Sequence, residues 1–325
     1  MTCFDAFKNV SISRENGELH IAPCCIAQSR KVHTLDFYKD PYLVDIRNTW
    51  QSGQWPSACE RCQHSEVSTG SSRRINSNQW YKDHAVNSPD AELLRLDYWT
   101  GDTCNLACVM CGPWASSAWK SELRLPLEQR RHNTNDYWTQ LPLHGLRYVH
   151  FHGGEPLLSP QHQEFLAAIP NPQQVHIYYN TNATVRANAR LLDLWVKFGL
   201  VQIDFSIDDI DSRFNYIRYP AQWSMVRENL EWYKNTMPSN CMFAVTTVVS
   251  VLNRRYLEEL KTWLAENFSH SRFQDPVEHR LQDCEGMLDY RRISSDTVQY
   301  LDELDQRRGT SWRELFPLAQ QDLLC

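Results

Sequence analysis

Residues 104–111 read CNLACVMC and carry three cysteines, Cys104, Cys108 and Cys111, in a Cys-x3-Cys-x2-Cys pattern. A 4Fe-4S cluster normally takes four cysteine ligands. Three thiolates would leave one iron with an open coordination position, which is where substrates or cofactors bind to a metal. A zinc site more often has paired Cys-x2-Cys knuckles, and a ferredoxin-like cluster has its own fourth thiolate. The segment therefore predicts a catalytic iron-sulfur loop.

The sequence around this loop predicts an α/β fold. Residues 92–99, ELLRLDYW, are typical of a strand, and residues 114–125 are typical of a helix. Further strands separated by helical segments are predicted at residues 146–151, 175–179, 201–205 and 243–252. Strands that alternate with helices indicate a parallel, barrel-like sheet. Residues after Ser269 are too polar for a clear sixth strand, so we expect a partial (β/α) barrel, similar to a TIM barrel, with five to six parallel strands.

The cysteine loop and a second motif together resemble the radical S-adenosylmethionine (radical SAM) superfamily. The second predicted strand runs into Gly153-Gly154-Glu155-Pro156, which resembles the family's glycine-glycine-glutamate motif. The resemblance implies that Gly153 and Gly154 let the backbone approach the methionine amino group of SAM, and that Glu155 supports this contact. It also implies that the three loop cysteines hold a catalytic 4Fe-4S cluster. Reductive cleavage of SAM would then give a 5'-deoxyadenosyl radical that removes hydrogen from a substrate.

Other residues at the ends of the predicted strands resemble cofactor contacts of the family. Asn182 follows the third strand, and Ser206 and Asp208 follow the fourth. Their alternative interpretations are an Asn turn and a helix N-cap. Arg218 lies where many relatives have a basic residue and could bind a carboxylate in two places, although a solvated surface arginine is the alternative. Met110 replaces an aromatic residue of many relatives, and its thioether can still cover an adenine face.

The segment before the barrel contains a second group of cysteines. An Asn-Gly turn signal at residues 15–17 lies between two β-type stretches and predicts a hairpin. This hairpin would bring Cys3 close to the pair Cys24 and Cys25. Residues 41–53 predict a helix, after which Cys59 returns in the knuckle Cys59-Glu-Arg-Cys62. Four thiols from three chain segments could therefore close one metal site.

This second cysteine pattern resembles the auxiliary-cluster modules called SPASM and twitch domains. In most relatives the module follows the barrel, whereas here it precedes the barrel. The resemblance implies a second, auxiliary 4Fe-4S cluster whose ligands are Cys3, Cys24, Cys59 and Cys62. Cys25 is the alternative to Cys24, because adjacent cysteines cannot be separated by sequence. A tetrahedral zinc site with the same four thiolates is the alternative to the cluster.

The composition of the 325 residues, 42% of them hydrophobic, suggests about two domains. We expect an auxiliary module with a connector helix at 1–85, a barrel at 90–270 and a helical extension at 271–325. The net charge of -6 and the lack of a clustered basic face argue against a nucleic-acid partner. Without a signal pattern or a long apolar run, we expect a cytoplasmic protein with no membrane contact. Cys241, Cys284 and Cys325 are interpreted as inert thiols, although the last two could ligate a metal in the tail.

The resemblance favours a peptide or protein side chain as substrate, with cross-linking or oxidation as the outcome. An electron donor such as flavodoxin or ferredoxin is the expected partner. Dehydrogenation or epimerisation of a small molecule such as a sugar is the alternative reaction. A non-enzymatic iron-sulfur or zinc protein is the alternative class, although retention of Gly153, Gly154 and Glu155 argues against it. His150, His152 and Tyr179 lie near strand ends and are candidate substrate contacts.

Overall fold

The computed structural model describes residues 2–15, 18–33, 35–126, 137–268, 279–283 and 286–323. Asn16 and Gly17 of the predicted turn, together with Cys284 and Cys325, lie outside these ranges. The strands of the described ranges are β1 Asn9–Glu15, β2 Glu18–Ala22, β3 Arg30–Val32, β4 Arg95–Trp99, β5 Tyr148–His152, β6 His176–Thr181, β7 Leu200–Ser206, β8 Cys241–Val249 and β9 His279–Asp283. All five strands predicted from the sequence are confirmed, as β4 to β8.

Helices separate most of the barrel strands, which confirms the α/β class. The helices of the described ranges are α1 Asp5–Lys8, α2 Pro41–Gln51, α3 Glu60–Thr69, α4 Arg73–Asp83, α5 Ser117–Glu122, α6 Pro160–Ala168, α7 Ala189–Trp195, α8 Asp211–Ile217, α9 Trp223–Thr236, α10 Leu257–Asn267, α11 Ser295–Arg308, α12 Trp312–Leu315 and α13 Pro317–Leu323. The helix predicted at residues 41–53 is confirmed as α2, and the connector helix predicted within residues 1–85 is confirmed as α4. Among the described residues, no helix is both long and apolar enough to cross a bilayer.

The strands are hydrogen-bonded in the order β3-β2-β1-β4-β5-β6-β7-β8-β9. From β4 to β9 this order follows the chain, and β4 with β5, β7 with β8, and β8 with β9 are parallel pairs. The predicted partial barrel of parallel strands is therefore confirmed. A sixth strand exists, because β9 pairs with β8 from Val245↔His279 to Val249↔Asp283. The polar sequence of β9 did not predict a strand, because its pairing with β8 depends on backbone hydrogen bonds and not on alternating apolar side chains.

The N-terminal hairpin is continuous with the barrel sheet. Strands β1 and β2 pair antiparallel up to Glu15↔Glu18, so the predicted hairpin is confirmed in its strands. Strand β1 also pairs in parallel with β4, from Asn9↔Arg95 to Ile12↔Tyr98. Ile12 is fully buried. The cysteine-bearing hairpin is thus fixed to the first barrel strand by a backbone ladder.

The chain divides into two compact units, each formed from several segments. The first unit comprises Met1–Gly101, His132–Tyr178 and Lys197–Leu200. The second comprises Asp102–Arg131, Tyr179–Val196 and Val201–Cys325. The N-terminal cysteines and the glycine-glycine-glutamate motif belong to the first unit, and the cysteine loop belongs to the second. The domain limits expected from the sequence remain predictions.

Replacing Ile12 with alanine tests the burial of β1 in the first unit. We expect the free energy of unfolding to fall by about 2–5 kcal/mol, because the change leaves a cavity in a packed core. Val67→Ala on α3 is the matched control, since Val67 is 85% exposed and its loss should cost less than about 0.5 kcal/mol. Anaerobic denaturant titration measures both values. Equal stability of the two variants would contradict the burial of β1.

Candidate active site

The cysteine loop connects β4 to α5 and contains three thiols that influence one another. Cys108 is buried, whereas Cys104 and Cys111 are partly exposed. Burial, together with the neighbouring Cys111 and Cys104, raises the pKa of the Cys108 thiol to about 12 despite the opposing charge of Arg218. Such a group of thiols is suited to a metal cluster, because metal binding displaces the thiol protons, which burial otherwise keeps bound.

The backbone of the cysteine loop is held through three consecutive carbonyl groups. Their oxygens accept hydrogen bonds from three side chains: Ala107 O from Arg308 Nη2 at 2.7 Å, Cys108 O from Trp119 Nε1 at 2.9 Å, and Val109 O from Tyr300 Oη at 2.7 Å. Trp119 lies on α5, whereas Tyr300 and Arg308 lie eight residues apart on α11 and so face the same side of that helix. The C-terminal extension therefore anchors the loop, a role that the sequence reasoning missed.

Arg308 is a buried cation with several compensating contacts. Its guanidinium lies over the rings of Trp119 and Tyr219, with centroid distances of 4.9 and 4.5 Å. It also forms an ion pair with Glu122 at 3.1 Å. A buried guanidinium is costly unless its charge is paired, and here Nε and Nη2 have partners, whereas the buried Nη1 has no hydrogen-bond partner among the described residues. These contacts let Arg308 remain buried against the loop carbonyl.

Two further backbone hydrogen bonds tie the loop to the segment that contains Arg218. Ala107 N donates to Tyr219 O at 2.6 Å, and Val109 N donates to Ile217 O at 2.9 Å. The two bonds flank Cys108 on one side and Arg218 on the other. These backbone hydrogen bonds therefore fix Cys108 opposite Arg218 independently of side-chain contacts.

The side chain of Arg218 links Cys108 to Asp208. Its Nη1 atom lies 4.0 Å from Cys108 Sγ, and its Nε atom donates to Asp208 Oδ2 at 2.6 Å. The Asp208 carboxylate is buried and also accepts a hydrogen bond from Val248 N at 2.8 Å. Burial alone would lower the pKa of the Arg218 guanidinium, but the neighbouring Asp208 and Cys108 raise this pKa. The structure thus places both residues in a buried ion pair beside Cys108, a predicted cluster ligand.

Of the remaining cofactor candidates of the second unit, Asn182 contacts the same loop and Met110 belongs to it. Asn182 Nδ2 donates to Asn105 Oδ1 at 3.0 Å and lies 4.0 Å from Cys104 Sγ. Its Oδ1 atom accepts from Thr184 N at 2.9 Å, so the expected Asn turn is present together with the loop contact. Ser206 is the last, half-buried residue of β7. Met110 is half-buried and packs against the core formed by α11 to α13.

In the first unit, Gly153 occupies a turn that excludes a side chain. Its φ angle is +132°, and a Cβ atom would lie 2.6 Å from Gly101 O. Gly154 N donates to the same carbonyl oxygen at 2.8 Å. The buried Glu155 accepts a hydrogen bond from Leu157 N at 3.2 Å. The motif therefore keeps a half-buried backbone turn in close contact with Gly101, an approach that only glycine permits at position 153.

The first unit also brings the four predicted auxiliary ligands to one cavity. Buried cysteines from three chain segments line it, namely Cys3, Cys24, Cys59 and Cys62. Trp50, the acidic Asp5 and the cationic Arg61, Arg73 and Arg74 are among the other residues that line it. Burial raises the pKa of Cys3 and Cys24 and raises that of Cys59 to about 11. The reserve candidate Cys25 lies elsewhere, beside Asp97 and His150.

The spacing of these thiols bears on the kind of metal that they could bind. A tetrahedral zinc with Zn–S bonds of 2.3 Å would place its sulfurs about 3.8 Å apart. Within the described residues, Cys25, Asp97 and His150 form the group whose ligand atoms all lie within 4.8 Å of one another. Neither the four cavity thiols nor the three loop thiols form so tight a set.

Gly153→Ala tests whether the turn needs its close backbone approach. Gly70→Ala is the matched control, because Gly70 also has a positive φ but a Cβ there would meet open space. We expect Gly70→Ala to cost about 1–2 kcal/mol of unfolding free energy from backbone strain alone. Gly153→Ala should cost more, and it should weaken SAM binding at least about tenfold. Equal effects of the two changes in calorimetry would contradict this role of Gly153.

Comparison with known proteins supports the geometric interpretation. The family described as the Radical SAM superfamily matches residues 100–264, just over half of the chain. A GTP 3',8-cyclase from Corynebacterium glutamicum (strain R) is 32% identical over 122 residues, which is 34% of this chain and 30% of that relative. The chain thus matches less than a third of the length of this curated relative.

Two solved structures show weaker similarity. Streptococcus suis SuiB bound to the precursor peptide SuiA has a TM-score of 0.42 and 13% identity, covering 93% of this chain and 70% of that one. The anSMEcpe protein with bound AdoMet has a TM-score of 0.43 and 16% identity, covering 67% of this chain and 63% of that one. On the family match and the three-cysteine loop, this chain belongs to the radical SAM superfamily of enzymes, whose cofactors are a 4Fe-4S cluster and SAM.

Proposed function

We propose that this enzyme removes a hydrogen atom from a side chain of a peptide or protein, with cross-linking or oxidation as the result. Its bound cluster and SAM supply the 5'-deoxyadenosyl radical, while the protein positions the substrate and excludes solvent. An electron donor such as flavodoxin or ferredoxin would supply the electron for SAM cleavage. A peptide is favoured as the substrate because an apolar groove lies beside the cysteine loop.

This groove lies in the second unit and has a volume of about 600 Å³. Residues of the loop, of α11 and of the segment before it line the groove, among them Met110, Cys111, Trp114, Leu123, Met287 and Tyr300. Trp114 is 69% exposed and Met287 is 47% exposed. Large exposed apolar side chains mark binding surfaces, and methionine adapts to varied apolar partners. A sugar would instead need a dense set of polar partners, so the groove favours peptide side chains.

The four-thiol cavity supports the auxiliary cluster of the proposal. Cys3, Cys24, Cys59 and Cys62 would hold a second 4Fe-4S cluster in the first unit, which would supply an electron acceptor for net oxidation. The cationic Arg73 and Arg74 beside the cavity would offset the negative charge of four thiolates. Their pKa values are raised: Arg73 lies beside the carboxylates Asp97 and Asp5, and Arg74 pairs with Glu66. Both residues therefore stay charged.

The substrate class can be tested by deuterium transfer. Anaerobically reconstituted, reduced enzyme is incubated with SAM and with pools of perdeuterated peptides, sugars or GTP, and 5'-deoxyadenosine is analysed by mass spectrometry. We expect deuterium in 5'-deoxyadenosine from the peptide pool and no 5'-deoxyadenosine from Cys108→Ala. Deuterium from the sugar or GTP pool would replace the peptide proposal. Failure to cleave SAM at all would contradict radical chemistry in this chain.

Trp114→Ala tests the groove itself. Loss of this exposed ring should lower peptide-dependent deuterium transfer at least about tenfold, a cost of about 1.4 kcal/mol that is modest for an aromatic anchor. Val196→Ala is the matched control, because Val196 is also an exposed apolar residue of the second unit but does not line the groove. Equal transfer by both variants would show that the peptide binds elsewhere.

Arg218 should tune the catalytic cluster through its contact with Cys108. A cation beside a ligand sulfur stabilises the more negative, reduced state, and hydrogen bonds to the sulfurs set cluster potentials. We expect Arg218→Gln to lower the midpoint potential of this cluster by at least about 30 mV, a factor of three in a one-electron equilibrium. Arg218→Lys keeps the charge and is the matched control, with a smaller shift. Redox titration followed by electron paramagnetic resonance measures both.

The same pair of variants separates this role from the one expected by family resemblance. If Arg218 gripped the carboxylate of SAM instead, Arg218→Gln would weaken SAM binding and leave the midpoint potential unchanged. The buried pair with Asp208 and the 4.0 Å approach to Cys108 Sγ support the electrostatic role. Potential and SAM affinity are measured on the same samples.

A further inference from the structure

Cys25 has different neighbours from the adjacent Cys24. Its sulfur lies with a carboxylate oxygen of Asp97 and a ring nitrogen of His150 in a set whose atoms are all within 4.8 Å of one another. Asp97 is buried, and Cys25 and His150 are half-buried. Asp97 on β4 and His150 on β5 are direct partners in the parallel register. Thiol, imidazole and carboxylate are the three ligand types that zinc takes in proteins.

The Asp97 carboxylate is already oriented by its other contacts. Its Oδ2 atom accepts hydrogen bonds from Arg73 Nη2 at 2.8 Å, from Asn9 Nδ2 at 2.9 Å and from Cys25 N at 3.0 Å. Carboxylates that bind a metal are commonly oriented by hydrogen bonds of this kind.

The distance at the second oxygen is close to that between two ligands of one metal ion. Asp97 Oδ1 lies 3.5 Å from His150 Nδ1, which is long for a hydrogen bond between these groups. Nitrogen and oxygen ligands of one tetrahedral zinc, each bound at 2.0–2.1 Å, lie about 3.4 Å apart. The same oxygen also accepts a hydrogen bond from Arg73 Nη2 at 3.2 Å, so Arg73 would stay in contact with the carboxylate that binds the metal.

An independent observation lies next to these residues. His152 Nε2 is buried and has no hydrogen-bond partner among the described residues. Its ring stacks on that of His150 with a centroid distance of 5.0 Å. A buried unsatisfied nitrogen indicates a water or bound group at that place.

We propose that Cys25, Asp97 and His150 bind one zinc ion whose fourth position is open to water or to a substrate oxygen. A thiolate and a carboxylate would match the charge of the ion, and Arg73 is balanced by its pairing with Asp5. An open zinc acts as a Lewis acid towards a carbonyl or carboxylate oxygen. The site is separate from the four-thiol cavity and does not rest on the proposed peptide activity.

The test measures metal content of the intact, cluster-loaded protein. Reconstituted protein is supplied with zinc, desalted, and analysed for zinc and iron by mass spectrometry. We expect about one bound zinc per chain, which falls at least about tenfold in Cys25→Ser and in His150→Gln with iron unchanged. Cys241→Ser is the matched control, because Cys241 is another buried thiol and its loss should leave zinc in place. Zinc X-ray absorption should show one sulfur among nitrogen and oxygen ligands.

Three results would overturn the proposal. The first is wild-type protein that retains no zinc after desalting, and the second is zinc that survives both substitutions. The third is loss of iron from Cys25→Ser, which would make Cys25 a cluster ligand. An absorption spectrum with four sulfur ligands would place the zinc in the four-thiol cavity and also contradict the site. Formation of 5'-deoxyadenosine, measured on the same samples, reports separately on the radical activity.

Discussion

The contact between the Arg218 guanidinium and the Cys108 thiol is the constraint on which the cysteine loop of the second unit depends. Two backbone hydrogen bonds place the residues opposite each other, and the buried Asp208 compensates the buried cation. Removing the carboxylate would leave an unpaired buried charge, which is far more costly than a missing surface pair. The loop is therefore pre-arranged around a positive charge that favours thiolates, the form in which cysteine binds iron.

Carbonyl groups of the same loop depend on residues that are distant in sequence. Tyr300 and Arg308 reach Val109 and Ala107 from a helix almost two hundred residues further along the chain. Such contacts satisfy buried acceptors that would otherwise be costly. They also make the C-terminal helices part of the active-site framework, and the apolar groove beside Cys111 shares their residues.

Sequence predicted the features that depend on local spacing. The strands β4 to β8, the motifs at their carboxyl ends and the helix α4 follow from periodicity and turn residues. Strand β9 and the pairing of β1 with β4 could not be predicted, because backbone ladders between distant segments leave little trace in composition. Nor could sequence separate Cys24 from Cys25, or show that Arg218 is paired inside the protein. The side chains of adjacent cysteines point in different directions, and these directions are determined by the folded backbone.

The most direct test of the account is an iron and sulfide count on anaerobically reconstituted protein, because the central claim is that the chain carries two separate cysteine sites. About eight irons per chain are expected, falling to about four when Cys104, Cys108 and Cys111 are all changed to alanine. Mössbauer spectra would identify the remaining iron as one 4Fe-4S cluster on the four N-terminal thiols. Only about four irons in the wild-type protein, all lost in the triple variant, would contradict a second cluster.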